Sequence, residues 1–269
     1  MEEEKTEKGN DRSITTRNSF LRTPNNLSSV ELNLLFYIVS KISKTSVVTS
    51  GPIPFIVINF KTADMTNFLS SIKNSTNTNR DYLVKSLKAL IGADRGTVST
   101  TPTGGKRIDH IFQSVRIENR ETQVIMNGIF IDDFINLKNN FTKLSLSSII
   151  YLESKYSKML YCQLASWAGT PVASGSHPFS TKQLKDIFGL SEESYVYGGK
   201  FNRKLFEDNT INKAIKEINS NPFSKMTVSY RKDHLIENGR RKVYGYVFFW
   251  EARRQSEAIN VQLSEGDVQ

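Results

Sequence analysis

The strongest indication of the fold comes from residues Phe201 to Trp250, which read FNRKLFEDNTINKAIKEINSNPFSKMTVSYRKDHLIENGRRKVYGYVFFW. This stretch predicts an amphipathic helix that ends before Pro222, followed by two alternating, aromatic-rich strands with basic clusters on both sides of their turn. A helix with one cationic face followed by a cationic hairpin is typical of a winged-helix module on duplex DNA. Between Phe201 and Arg254 there are 12 Lys and Arg against 6 Asp and Glu, which accounts for +6 of the chain's net charge of +9.

Several polar and basic residues of this stretch are candidates for contact with DNA. Asn209, Lys213 and Lys216 are spaced by four and three residues, so they share one face of the predicted helix, opposite three isoleucines. Arg203 and Lys204 precede that helix. A solvated helix surface would explain the lysines if the helix stood alone, but the basic groups of the hairpin favour DNA contact. The candidates are Asn202, Arg203, Lys204, Asn209, Lys213 and Lys216 on the helix, and Arg231, Lys232, Arg240, Arg241 and Lys242 on the wing.

The first half of the chain predicts the same order of elements with fewer cations. Its predicted helices cover residues 27–43, 61–70 and 79–91, and its predicted strands cover 55–60, 107–117 and 122–127. Ser28 and Glu31 predict a capping box for the first helix, whose wide apolar face predicts a buried central helix. A second DNA-contacting surface is one interpretation of this half, and a dimerisation or scaffold role is the other. The candidates for DNA contact are Arg80, Lys85 and Lys88 on the third helix, and Lys106 and Arg107 at the start of the hairpin.

The order of elements repeats in the second half. Helices are predicted within 146–168, at 180–188 and before Asn221, with a loop at 170–179 and a hairpin at 226–250. Three helices and a hairpin in each half predict an α+β fold of two tandem winged-helix domains, although the halves share negligible identity. The predicted organisation is a disordered tail at 1–13, domains at 14–140 and 141–254, and a flexible tail at 255–269.

The composition narrows the class of protein. A hydrophobic content of 38% with 23% charged residues predicts a folded soluble protein, and a pI near 9.5 favours nucleic acid as the partner over a membrane surface. The absence of any apolar run of 18 residues excludes a membrane-spanning segment. The single cysteine, Cys162, and the acidic start of the chain predict a reducing, cytoplasmic location.

No residue pattern predicts catalysis, a metal site or a cofactor. The three histidines, His110, His177 and His234, are isolated, and no paired-histidine or paired-cysteine motif accompanies them. Gly104-Gly105-Lys106 lacks the earlier glycine of a phosphate-binding loop, and Arg107 stands where Ser or Thr would reach magnesium. This glycine pair is therefore interpreted as a turn.

Five short stretches, in this order, resemble the plasmid replication initiator family, the winged-helix Rep proteins that bind iterons, the direct repeats of a plasmid origin. The stretches are NNLSSVELNLLFYIVSKI from Asn25, FTKL from Phe141, YLESKYSKMLYCQL from Tyr151, EIN from Glu217 and RRKV from Arg240. The resemblance covers about Ser13 to Arg254. The chain departs from the family at one point. Its phenylalanine followed by basic residues, Phe201-Asn202-Arg203-Lys204, lies about five residues earlier than in the family. An alignment without a gap would place Glu207, Asp208 and Asn209 where the family has basic residues, and acidic residues there would repel phosphate, so an alignment with a gap is preferred.

The resemblance implies an origin-binding initiator acting on double-stranded DNA in the bacterial cytoplasm. The second domain would bind iterons with most of the specificity, and the first would contact an adjacent groove and carry the dimer interface. Monomers would promote origin melting and recruit the host replication initiator and helicase, whereas dimers would repress the initiator's own gene. The competing hypotheses are a winged-helix transcriptional regulator, a metal-dependent rolling-circle replication nickase and a DNA-packaging protein without sequence preference.

Overall fold

A computed structural model describes residues 12–49, 54–72, 80–92, 97–100, 106–137, 139–237 and 239–253. The first half contains helices α1 (Asn18–Arg22), α2 (Ser29–Val39), α3 (Thr62–Ser71), α4 (Arg80–Leu90) and α5 (Ile131–Phe134). Its strands are β1 (Ser13–Arg17), β2 (Val47–Val48), β3 (Phe55–Lys61), β4 (Thr97–Thr100), β5 (Lys106–Asp109), β6 (Phe112–Ile117) and β7 (Glu121–Asn127). Two 3₁₀ turns, Lys44–Ser46 and Gly128–Phe130, complete this half.

The second half repeats the order of helices and adds the longest strands. Its helices are α6 (Leu146–Ile150), α7 (Lys155–Ala168), α8 (Thr181–Ile187), α9 (Arg203–Phe206) and α10 (Lys213–Ser220), with a π-helical segment, Glu207–Asn212, between the last two. Its strands are β8 (Phe141–Ser145), β9 (Gly175–Ser180), β10 (Val196–Tyr197), β11 (Lys200–Phe201), β12 (Met226–Glu237) and β13 (Arg240–Ala252). Of the helices that the structure describes, none has the length and apolar character needed to cross a bilayer.

Helix α2 is the central helix of the first half, as its wide apolar face predicted. The Ser28 hydroxyl accepts a hydrogen bond from the Glu31 backbone N–H at 3.3 Å, and the Ser28 N–H donates to the Glu31 carboxylate at 2.6 Å. This predicted capping box satisfies two of the N–H groups that a helix start leaves without partners. Every residue from Leu32 to Val39 is buried. The helix is shorter than the predicted 27–43, because the chain turns after Val39, where the Lys41 and Ile42 N–H groups donate to the Ile38 and Val39 carbonyls.

The first-half sheet corrects the prediction of one continuous strand over residues 107–117. That stretch forms two strands: β5 pairs with β4 in a separate ribbon, and β6 pairs with β7 in a four-stranded sheet of order β2-β3-β7-β6. Ile111 and Phe112 are both buried, which breaks the in-out alternation that a single strand would require. Lys106 and Arg107 therefore lie on the ribbon and not at the start of the β6–β7 hairpin.

The second-half sheet corrects the predicted loop at 170–179. Gly175–Ser180 forms β9, which pairs antiparallel with β13, so the sheet has the order β12-β13-β9. The sequence of β9 is mostly polar and lacks the alternation of apolar and polar residues that predicts a strand. Gly175 lies against the Trp250 ring, where an added Cβ would come within 2.9 Å of a ring carbon. The Trp250 indole N–H donates to the Ala173 carbonyl at 2.7 Å, so the tryptophan fixes the path of this segment.

The two halves are joined by a β-ribbon that spans the predicted boundary at residue 140. Strand β1 pairs antiparallel with β8, from Ser13 opposite Ser145 to Arg17 opposite Phe141. The boundary itself stays a prediction, but the first strand of the first half completes its hydrogen bonds with the second half. The sequence did not predict either strand, because each is short and polar.

Side-chain contacts reinforce this connection between the halves. The Arg22 guanidinium donates to the Ser166 hydroxyl at 2.9 Å and to its carbonyl at 2.7 Å, and lies 3.5 Å from the Trp167 ring centroid. On the other side, Trp167 stacks on His177 with ring centroids 4.0 Å apart. Burial lowers the pKa of His177, and the nearby Arg22 charge lowers it further, so the neutral imidazole is favoured in this stack.

The residues Glu217-Ile218-Asn219 fasten α10 to the rest of the second half. The Glu217 carboxylate accepts hydrogen bonds from the Glu153 and Ser154 N–H groups, both at 2.9 Å, at the start of α7. Ile218 is fully buried. The Asn219 side chain forms two hydrogen bonds with the backbone of Val228 on β12, at 2.8 and 2.7 Å. These contacts set the position of α10 against α7 and the hairpin.

Lys158 is a buried cation next to this junction, and its charge makes stability depend on pH. Its side chain is fully buried and its ammonium donates to the Leu152 carbonyl. Burial lowers the pKa of Lys158 from 10.5 to about 8, against the opposing effect of Glu217. Between pH 8 and 10.5 the unfolded chain therefore binds more protons than the folded one, so stability rises with pH across this window, by about 3 kcal/mol.

Comparison with Lys158→Met tests this pH dependence. We expect the free energy of unfolding of the wild type to rise by about 3 kcal/mol relative to that of the variant between pH 7.5 and 10.5. Urea titrations monitored by circular dichroism at the two pH values measure the difference. Lys225→Met, which changes an exposed lysine, is the matched control and should run parallel to the wild type. Parallel curves for Lys158→Met would contradict the expectation.

Candidate nucleic-acid interface

The recognition helix, defined here as residues 203–220, consists of α9, the π-helical segment and α10. The Asn202 side-chain oxygen accepts a hydrogen bond from the Leu205 N–H at 3.1 Å and so caps the helix. Arg203 and Lys204 therefore form its first turn, a correction to the prediction that they precede it. Phe206, Ile211 and Ile218 are fully buried and hold the helix against the core.

The predicted DNA-facing side chains of the recognition helix are accessible. Lys204, Asn209, Lys213 and Lys216 are all exposed, whereas Ile211 is buried on the other side. The π-helical segment has a wider turn than an α-helix, so the four-residue spacing argument does not carry from Asn209 into α10. Lys213 and Lys216 both lie within α10 and share one face as predicted. Whether these residues contact DNA stays a prediction.

Arg203 connects the recognition helix to the wing. Its guanidinium donates to the Val243 carbonyl on β13 at 3.2 Å and lies 5.9 Å from the Phe201 ring centroid. Its Nε atom is buried and has no hydrogen-bond partner within the described chain. The predicted contact of Arg203 with DNA would therefore compete with its contact to the wing.

A buried acidic residue of the recognition helix, Glu207, balances the charge of one predicted DNA contact, Lys232. Glu207 is 6% exposed and accepts a hydrogen bond from the Tyr246 hydroxyl at 3.0 Å. It also forms an ion pair with Lys232 at 2.8 Å. Burial raises the pKa of Tyr246, and the Glu207 carboxylate raises it further, so this tyrosine remains a donor. Glu207 thus faces the hairpin, and the charge of Lys232 is already balanced inside the protein.

The wing, formed by β12 and β13, carries the remaining predicted contacts of the second half. Arg231 is exposed and lies 5.4 Å from the Phe249 ring centroid. Arg241 is exposed as well, whereas Lys242 forms an ion pair with Glu237 at 2.8 Å. Arg240 begins β13, but its side chain lies outside the described residues, as does Asn238 of the predicted turn.

The predicted contacts of the first half are divided between two elements. Lys85 and Lys88 are exposed on α4, and Arg80 donates to the Asn119 side chain at 2.5 Å in the β6–β7 turn. Arg107 is paired with Asp109 at 2.8 Å on β5. The side chain of Lys106 lies outside the described residues. Lys85 and Lys88 on α4 are therefore the predicted contacts of this half whose exposed charges have no partner among the described residues.

Sequence reasoning missed the apolar end of the wing. Leu235 and Ile236 lie between the charged clusters of β12 and are 54% and 82% exposed. The signal for exposure was that the neighbouring residues on both strands are charged.

The described residues do not bring three His, Cys, Asp or Glu side chains together in an arrangement that could hold a metal ion. Cys162 is buried, and this burial raises the pKa of its thiol to about 12. The thiol is therefore protonated in the folded protein at neutral pH.

Two protein-family models match the chain. The first, described as Initiator Replication protein, WH1, matches residues 13–165, and the second, Initiator Rep protein, WH2, matches residues 180–250. Among solved structures, the chain is similar to one described as a Pi initiator protein in complex with iteron DNA, with a TM-score of 0.58 and 15% identity. That likeness covers 91% of this chain and 99% of the other, and confirms the predicted fold of two tandem winged-helix domains. Comparison with curated proteins gives no match.

Proposed function

The chain belongs to the family of initiator replication proteins, and from this premise we propose that it binds the direct repeats, or iterons, of a plasmid origin in double-stranded DNA. The observation that carries the proposal is the exposed basic surface of the second winged-helix domain. Lys213 and Lys216 on α10 and Arg241 on the wing present positive charge on neighbouring elements. A recognition helix fits the major groove, and wing cations fit the adjacent phosphates.

The similar Pi initiator protein supports the same class of ligand, because it is described as bound to iteron DNA. For this chain we propose that the second domain supplies most of the specificity. The first domain would contact an adjacent groove through Lys85 and Lys88 and would carry the surface for self-association. The smaller number of free cations on α4 than on the recognition helix and wing supports this division.

The remaining steps of initiation are proposals that follow from the family. Bound monomers would promote melting of the origin and recruit the host replication initiator and helicase, and dimers would repress the initiator's own gene. The protein would act in the bacterial cytoplasm as a binding protein without a catalytic residue. Duplex opening would then derive from binding energy and from the host proteins.

Binding to repeat arrays of defined number tests the proposal. On duplexes with one, two or three direct repeats, we expect the number of bound chains to equal the number of repeats, measured by native mass spectrometry. Affinity for a repeat should exceed that for a random duplex by about 10³-fold or more at physiological salt, as for other specific DNA-binding proteins.

Three controls separate the competing functions. Preferred binding of a dimer to an inverted repeat would indicate a transcriptional regulator instead. Equal affinity for repeat and random duplexes would indicate a packaging protein. Magnesium-dependent nicking of a supercoiled plasmid that carries the repeats would indicate a nickase.

A further inference from the structure

The wing continues beyond the three-stranded sheet as a two-stranded arm. Strand β9 pairs with β13 only from Gly245 to Trp250. Beyond Gly245, β12 and β13 pair only with each other, from His234 opposite Val243 to the turn. No third strand of the described chain pairs with this arm, and its side chains on both faces are exposed, namely those of Leu235, Ile236, Arg241 and Lys242.

The two faces of the arm carry different sets of side chains. Successive residues of a strand point to opposite faces, so Leu235 and Glu237 share one face and Ile236 lies on the other. Lys242, opposite Leu235, is neutralised by Glu237 at 2.8 Å. Arg241, opposite Ile236, is exposed, and no carboxylate among the described residues forms an ion pair with it.

The face that carries Arg241 also carries Ile236. Ile236 is 82% exposed, and no large apolar residue of the described chain is more exposed. A single exposed isoleucine is unremarkable by itself. Here it lies opposite an unpaired guanidinium at the end of a protruding arm, with cross-strand Cβ atoms about 4.5–5.5 Å apart. A ligand of this face must offer a negative group to Arg241 and an apolar surface to Ile236.

A minor groove of duplex DNA offers both kinds of group. Phosphates line the edge of the minor groove, and apolar side chains, isoleucine among them, can enter between stacked base pairs there and bend the duplex toward the major groove. We propose that Ile236 acts as such a wedge in the minor groove beside the recognition helix, while Arg241 holds the flanking phosphate. This inference rests on the proposed function and deepens it. The bend would place a base step under strain within each bound repeat.

A fluorescent base in the repeat reports the wedge directly. The full-length protein is bound to single-repeat duplexes in which 2-aminopurine replaces successive adenines, and a second duplex carries a donor and an acceptor dye at its ends. We expect the wild type to raise 2-aminopurine fluorescence at one base step and to shorten the end-to-end distance. Ile236→Ala should lose both responses and bind the repeat at least about tenfold more weakly, since the contacts that only a bent duplex makes are then lost.

Leu235→Ala is the matched control, because it shortens the neighbouring apolar residue on the opposite face of the same arm. It should retain the fluorescence response, the bend and the affinity. Both residues are exposed, so thermal unfolding should be the same for all three proteins.

Several outcomes would overturn the wedge. A wild type that binds the repeat specifically without a fluorescence response would refute it, as would equal effects of the two substitutions. Sedimentation with phosphatidylserine vesicles that depends on Ile236, with no response from DNA, would assign the face to a membrane instead. If the wild type binds repeat and random duplexes equally well, the proposed function is wrong, and the wedge proposal is wrong with it.

Discussion

Raising the salt concentration from 50 to 200 mM is expected to weaken binding to the duplex repeat by about three to five decades. Each phosphate that a cation neutralises releases a counterion, and the logarithm of the affinity falls with the logarithm of salt by about 0.9 for each phosphate. Neutralisation of roughly 6–10 phosphates gives the stated loss. Fluorescence anisotropy titrations of a labelled repeat at five or more salt concentrations measure the slope.

The value of the slope also reports how much of the protein contacts the duplex. Lys232 and Lys242 are paired with Glu207 and Glu237, so they contribute little to counterion release unless those pairs open. A slope near the upper end of the range would therefore require cations of α4 in addition to those of the second domain. A slope near zero would contradict phosphate contact altogether, and the same slope with random duplex would leave only non-specific binding.

Removing the two lysines of α10 is expected to have the next largest effect. The double variant Lys213→Ala and Lys216→Ala should lose about 2–6 kcal/mol of binding free energy if each lysine contributes 1–3 kcal/mol to a groove or phosphate contact. This loss corresponds to an affinity roughly thirty-fold to twenty-thousand-fold weaker. Both side chains are exposed, so the fold should be unaffected. Anisotropy titrations with repeat and random duplexes measure the loss.

The double variant Lys143→Ala and Lys225→Ala is the matched control. These exposed lysines line a cleft of about 560 Å³ near the base of the hairpin, and their removal changes the net charge by the same amount. The control should bind within about threefold of the wild type, as expected for charges outside the interface. Equal losses in the two double variants would show that total charge, and not the recognition helix, determines affinity.

Elements whose signals are local were predictable from the sequence. The capping box at Ser28 lies where the pattern placed it, because a span of four residues contains both partners. The long hairpin was also predicted, since alternation and a turn signal extend over more than twenty residues. Strands β1, β8 and β9 were missed because they are short and polar. The strands with which they pair are far away in the sequence, so no local pattern predicts these three strands.

The site was predictable in its location but not in the state of each side chain. Lys213 and Lys216 are exposed on one helix, as their spacing indicated. The ion pair of Lys232 with Glu207 could not be predicted, because the hairpin and helix meet only in the folded chain. The π-helical segment that contains Glu207 also shifts the register of the helix, and the carboxylate turns inward to Tyr246. A linear reading places Glu207 where it would repel phosphate.

The ribbon of β1 and β8 has a consequence for the time course of synthesis. Asn18, just after β1, and its hydrogen-bond partner Thr142 are 124 residues apart. At about 5–20 residues per second, a ribosome needs roughly 6–25 s to make the chain between them. During that interval β1 is an uncovered strand edge, the kind of surface that pairs with another chain. We therefore expect the yield of soluble protein to fall when translation within this interval is slowed.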